Sequence, residues 1–120
     1  MVVDRDPLLW PLETTLIVAD GEILLTPPFS ERGRVWVCEH VAVMNENTRE
    51  PEVDVGICHG GTYFWFDTGQ LTTRGVWYPF RFNVTLLTDY QIAIRWGNCS
   101  IGDHVYATVN GYIREPYTSP

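Results

Sequence analysis

Apolar and polar residues alternate with a period of two along much of this chain, most clearly near its end. In Tyr90–Trp96, residues Tyr90, Ile92, Ile94 and Trp96 fall on one face, and Gln91, Ala93 and Arg95 on the other. In His104–Arg114, Val105, Ala107, Val109 and Gly111 alternate with Tyr106, Thr108, Asn110 and Tyr112. Such alternation over seven or more residues marks half-buried strands. The two runs, separated by the turn cluster Gly97–Asp103, are expected to set the sheet on which earlier strands pair or pack.

Working from the start, Thr14–Ala19 and Glu22–Thr26 flank Asp20-Gly21, which predicts a hairpin with a type I′ turn. Arg34–Asn45 reads as a central strand, with Val35, Val37, Val41 and Val43 on one face and Trp36, Cys38, His40, Ala42 and Met44 on the other. Val53–His59 leads through Gly60-Gly61 into Thr62–Phe66, with Tyr63 and Trp65 opposite Phe64 and Phe66. A short strand at Gln70–Thr73, then Val76–Phe80 and Arg81–Leu87, complete eight or nine strands without a helical period. That spacing predicts an all-β fold, an antiparallel β-sandwich of jelly-roll type. Its core is expected to hold Val35, Val37, Val55, Ile57, Phe82, Val84, Ile92, Ile94, Val105 and Val109.

Residues 1–13 have no usable period, and Pro7 and Pro11 bracket Leu8-Leu9-Trp10 and forbid a continuous helix. The chain therefore divides into an extended N-terminal arm (1–13), a single sandwich domain (14–114) and an extended C-terminal tail (115–120). Leu8, Leu9, Trp10 and Leu12 carry apolar area that water disfavours, so the arm must lie either on an open edge of its own sheet or on a neighbour. It is expected to act as an assembly element.

Composition narrows the function. A net charge of −7 argues against a general nucleic-acid binder and against an anionic membrane as the main partner. All eight basic residues are Arg, which speaks to codon usage and not to chemistry. Three cysteines, an odd number, are too few for a disulfide framework, and the opening residues lack a signal-peptide layout. Synthesis in a reducing cytoplasm, with Cys38, Cys58 and Cys99 as free thiols, is the expectation.

Candidate chemistry is sparse. Cys38-x-His40, Cys58-His59 and the Cys99/His104 pair lack the knuckle spacing of structural zinc, so no metal is expected. None of the three serines sits in a Gly-x-Ser-x-Gly elbow, and a Cys99–His104 dyad has no orienting third group. The carboxylates cluster at turns, where Asp is favoured for backbone reasons. Neither an enzyme nor a cofactor is expected. Tyr63, Trp65, Trp77 and Tyr78 could instead stack on sugar rings, which makes a carbohydrate-binding module the alternative reading.

Between residues 45 and 114 a series of short motifs recurs in a recognisable order. Asn45-Glu-Asn-Thr48 precedes Val53-Asp-Val-Gly-Ile57, and the aromatic strand Thr62–Phe66 follows. Leu87-Thr-Asp-Tyr90 and Gly102-Asp-His-Val105 open the last two strands, and Val109-Asn-Gly-Tyr112 closes the series. This pattern resembles that of small tailed-bacteriophage structural proteins of jelly-roll or sandwich fold. It departs from them at the turn opening the penultimate strand, Thr88-Asp89, where such domains carry Gly-Asp. The resemblance implies a head-decoration, neck or tail accessory protein that acts by packing. Its partners would be copies of itself and other virion proteins (major capsid, neck or tail), with no direct nucleic-acid or membrane contact. Its location would be the virion, after synthesis in the host cytoplasm.

Overall fold

A computed structural model describes residues 5–14, 21–29, 33–48 and 51–114, with the backbone alone for 5–14. Eight strands follow in order: β1 (Arg5–Thr14), β2 (Glu22–Leu25), β3 (Val35–Asn45), β4 (Glu52–His59), β5 (Thr62–Gln70), β6 (Tyr78–Leu86), β7 (Gln91–Gly97) and β8 (Val105–Arg114). They form two four-stranded antiparallel sheets, β1-β8-β3-β6 and β2-β7-β4-β5. Only β4 and β5 are consecutive neighbours; every other connection crosses from one sheet to the other. This is the strand order of a double-sheet jelly roll.

Side chains from both sheets meet in one core. Trp36, Val41, Val43, Val105 and Val109 come from the first sheet, and Val53, Val55, Ile92, Ile94 and Trp96 from the second. Ile57, Phe82 and Val84 are half-buried against this cluster. The alternation read from β7 and β8 therefore identifies inward faces correctly. It does not identify partners: β7 pairs with β2 and β4, and β8 with β1 and β3, so the two closing strands lie in opposite sheets. Their seven-residue connection is a crossover, not a hairpin.

Two further expectations need correction, and the hairpin expected around Asp20-Gly21 falls largely outside the described residues. Around Asp20-Gly21, β2 pairs with β7, Thr14 ends β1 in the other sheet, and residues 15–20 lie outside the described residues. Gln70 belongs to β5, residues 71–77 are crossover, and the two strands expected at Val76–Phe80 and Arg81–Leu87 are one strand, β6, over Tyr78–Leu86. The second correction concerns β3, whose register shifts between Cys38 and His40 against both β6 and β8. A bulge there reverses the facing of everything before it. Trp36 and Cys38 consequently join Val41 and Val43 in the core, whereas Val35 and Val37 are buried outside it.

Gly111 makes the bulge possible. A Cβ at this position would stand 1.9 Å from the Val37 carbonyl oxygen and 3.0 Å from Cys38 Cα. Because the obstruction is backbone in the middle of a ladder, no rotamer change relieves it. Gly111→Ala is expected to destabilise by at least about 3 kcal/mol, the upper part of the overpacking range. Ile94→Ala, which empties a fully buried site, should cost about 2–5 kcal/mol. Urea unfolding monitored by circular dichroism measures both.

Candidate interaction surface

Strand β5 differs in its burial from β2, β3, β4, β6, β7 and β8. It is the last strand of its sheet, bonded to β4 on one side and to no strand among the described residues on the other. Exposed positions dominate it, and its sequence TYFWFDTGQ places four aromatic residues in succession. Tyr63, Phe64 and Phe66 are 38%, 55% and 41% exposed. Most large apolar side chains among the described residues are buried or half-buried, so three exposed rings on one strand form a contiguous feature.

The two faces of β5 have different surroundings. Tyr63 and Trp65 stack with parallel planes, their centroids 5.5 Å apart. The Arg95 guanidinium lies over the Trp65 ring, Cζ 4.3 Å from its centroid. Arg95 Nε donates to Asp54 Oδ2 at 2.9 Å and its second nitrogen lies 2.8 Å from the same oxygen. Trp65 packs onto Gly56 of β4, where a Cβ would stand only 2.9 Å from Trp65 Cε3. Beside this group a shallow cleft of about 200 Å³ is lined by Gly21, Glu52, Asp54, Arg95 and Gly97. On the other face, Phe66 meets Phe82 of β6 edge-on at 4.9 Å. β6 is the edge of the opposite sheet, so this contact closes one side of the sandwich.

The four aromatics considered for sugar stacking are divided between two places. Tyr63 and Trp65 stand together at the start of β5. Tyr78 is tilted against Phe80 at 5.1 Å and lies beside Gly69 near the other end of the strand. Tyr63 and Gly69 are six residues apart, about 20 Å along an extended chain. Trp77 is exposed in the β5–β6 crossover with Val76.

The backbone of the proposed arm is strand β1. Leu8, Leu9, Trp10 and Leu12 are opposite Gly111, Asn110, Val109 and Ala107 of β8. Their side chains lie outside the described structure, as does the tail 115–120.

Of the cysteines, Cys38 and Cys58 are buried and Cys99 is half-buried, all as free thiols. Burial pushes the Cys38 thiol up to about 12, with a backbone hydrogen bond at His40 opposing and the Glu39 charge reinforcing the shift. Cys99 Sγ lies 3.4 Å from the Gly97 carbonyl, whereas His104 Nδ1 faces Glu46 Oε2 at 3.5 Å.

One constellation had no counterpart in the sequence reading. Buried Asn45, at the end of β3, accepts from the Asn47 and Thr48 amides through Oδ1. Its Nδ2 donates to Asp103 Oδ2 at 3.1 Å. The same carboxylate accepts from Thr48 Oγ1 and from the Ser100 amide. Asn47 Oδ1 accepts from the His104 amide, and the Glu46 amide donates to the His104 carbonyl. The Gly75 amide donates to the Asn45 carbonyl and that of Leu71 to the Pro51 carbonyl. Three crossovers at one end of the sandwich are thus tied together. The motifs Asn45–Thr48 and Gly102–Val105, far apart in sequence, are its two halves. Buried Asn45 and Asp103 were the available signal, but Asn and Asp beside turns are too common to single out.

No protein-family model and no curated protein matches the sequence. Among solved structures the chain is similar to one in the infectious bursal disease virus Gx strain structure, at 11% identity and a TM-score of 0.48, covering 98% of this chain and 35% of that one. Dimeric latent PorU from Porphyromonas gingivalis matches at 10% identity and a TM-score of 0.44, covering 95% and 13%. A chain of the Gt strain structure of the same virus matches at 13% identity and a TM-score of 0.38, covering 92% and 33%. The chain spans about a third of each viral chain and a smaller part of PorU.

The tie at Asp103 has a pH signature. Burial raises its carboxyl, but hydrogen bonds from Thr48, Asn45 and Ser100 and the charge of His104 outweigh burial and hold it below the usual carboxylate range. A depressed folded value means stability that is present above the unfolded value, about 3.9, and lost as pH falls through the folded one. Asp103→Asn should therefore cost about 1–3 kcal/mol at neutral pH. Its stability should also fall less steeply than that of the native protein in acid, as read by thermal melts across pH 2–7.

Proposed function

We propose that this protein is a non-enzymatic virion structural protein that acts by packing against copies of itself and against other virion proteins. The observation carrying this reading is the exposed aromatic edge of β5. A strand with open main-chain groups and apolar side chains on both faces is suited to pairing with protein, and such edges are otherwise blunted or covered. The motif series from Asn45 to Tyr112 supports the virion setting by resemblance.

Jelly rolls serve both capsid and lectin domains, so the site must decide between assembly and sugar binding. A sugar ring needs an open aromatic face backed by hydrogen-bonding groups. Here Arg95 lies over Trp65, its guanidinium is bound to Asp54, and the second aromatic pair stands near the far end of β5. These features favour assembly through protein contact. An extended flank that joins two sheet edges, β5 and β6, also fits a protein surface better than a small ligand.

Native mass spectrometry and sedimentation over a concentration series test the reading. Species larger than the 13.8 kDa chain are expected, growing with concentration, together with no retention on a panel of immobilised glycans. A monomer up to the solubility limit, or saturable glycan binding lost on Trp65→Ala, would contradict it.

A further inference from the structure

Among the described residues the strands at the sheet edges are β1, β6, β2 and β5. Natural sheets protect edges with proline, charge or brevity. β1 contains Pro7 and Pro11, β2 has only four residues, and β6 contains Pro79 and Arg81. β5 has nine residues with no proline and no basic residue, and its single charge, Asp67, follows the aromatic run. Its register against β4 shifts only at Phe66, beyond the regular stretch Thr62–Trp65. Among the described residues, the stretch Thr62–Trp65 of β5 is the edge left without these protections.

We propose that β5 pairs antiparallel with β5 of a second copy of this chain, across a two-fold axis at Phe64. The proposal rests on the assembly reading and names the partner of that same surface. The hairpin geometry fixes which main-chain groups are available. Gly60 and Gly61 both have positive φ, 59° and 80°, so β4 and β5 are joined by a two-residue turn closing on His59 opposite Thr62. The pair flanking such a turn exchanges both hydrogen bonds. Main-chain groups of Thr62 and Phe64 therefore face β4, and those of Tyr63 and Trp65 face the open edge.

A two-fold axis at Phe64 sets Tyr63 of each copy opposite Trp65 of the other, with their free amides and carbonyls in register. The two Phe64 residues then form a non-hydrogen-bonded pair, the arrangement in which side chains come closest. Charge selects a second copy as the occupant. A protein of net charge −7 repels itself across most surfaces, but Thr62–Phe66 is uncharged, and in this register Asp67 falls opposite Gly61. No acidic group on the aromatic run invites a basic partner. The two sheets β2-β7-β4-β5 merge into one of eight strands, and the pairing closes as a dimer because the contact is the same patch on both copies.

Phe64 lies on the axis, so a charge placed there meets its own copy. Phe64→Lys and Phe64→Glu should each remain folded, because the side chain is more than half exposed, and each should weaken self-association about 100-fold or more through like-charge juxtaposition. Mixed in equal amounts, the two variants should recover a dimer, read as the heterodimer mass by native mass spectrometry. Should a charge at this position impair folding, Tyr63→Pro serves instead. It removes an edge-facing amide without touching the β4 ladder and should likewise abolish the dimer.

Undiminished association of Phe64→Lys or Tyr63→Pro, or failure of the mixture to pair, would overturn the proposal while leaving assembly through another surface standing. A wild-type protein that is monomeric throughout would overturn both.

Discussion

Trp36 and Cys38 enter the same core as Val41 and Val43, although odd and even positions of a regular strand face opposite ways. The bulge between Cys38 and His40 reconciles them, and Gly111 of β8 lets the two backbones approach closely enough to form it. β3 and β8 are the central pair of their sheet, flanked by β6 and β1. The position of both outer strands, and of the Trp36 and Val43 side chains that the second sheet packs upon, follows from this one close approach.

From that centre the molecule becomes unequal at its margins. At one end, crossovers that have no strand partners are fastened by side-chain and main-chain hydrogen bonds around Asn45 and Asp103. The groups there are satisfied internally, which leaves a set frame and little demand for a partner. Along the β5 side the opposite holds. Tyr63, Phe64 and Phe66 remain exposed, and Phe66 reaches Phe82 across the gap between the sheets. Apolar area and open main-chain groups coincide on that side, and both are relieved by the addition of another strand.

The pattern along the chain reveals faces well and partners poorly. Ile92, Ile94, Val105 and Val109 could be placed in the core because period-two alternation reports which side of a strand is dry. It carries nothing about which strand lies alongside, so β7 and β8 looked like a pair although they belong to opposite sheets. The bulge in β3 has no marker of its own, since Val35, Trp36, Val37 and Cys38 are all apolar and either facing satisfies the pattern. Aromatic residues at 63–66 were visible, but their exposure depends on β5 being an edge, a fact of topology. The segment 7–12 was correctly expected to be extended, and pairing with β8 turns it into a strand of the sheet. Asn45 and Asp103 become a network only when the fold brings their loops together.

Amide hydrogen exchange resolved to single residues of β5 bears most directly on the idea that this edge joins two copies. Tyr63 and Trp65 have amides facing outward, whereas the Phe64 amide faces β4. Protection of Tyr63 and Trp65 should rise with protein concentration, while that of Phe64 should stay high throughout. Exchange at Tyr63 and Trp65 that is fast and independent of concentration, in a sample that assembles, would contradict pairing at this strand.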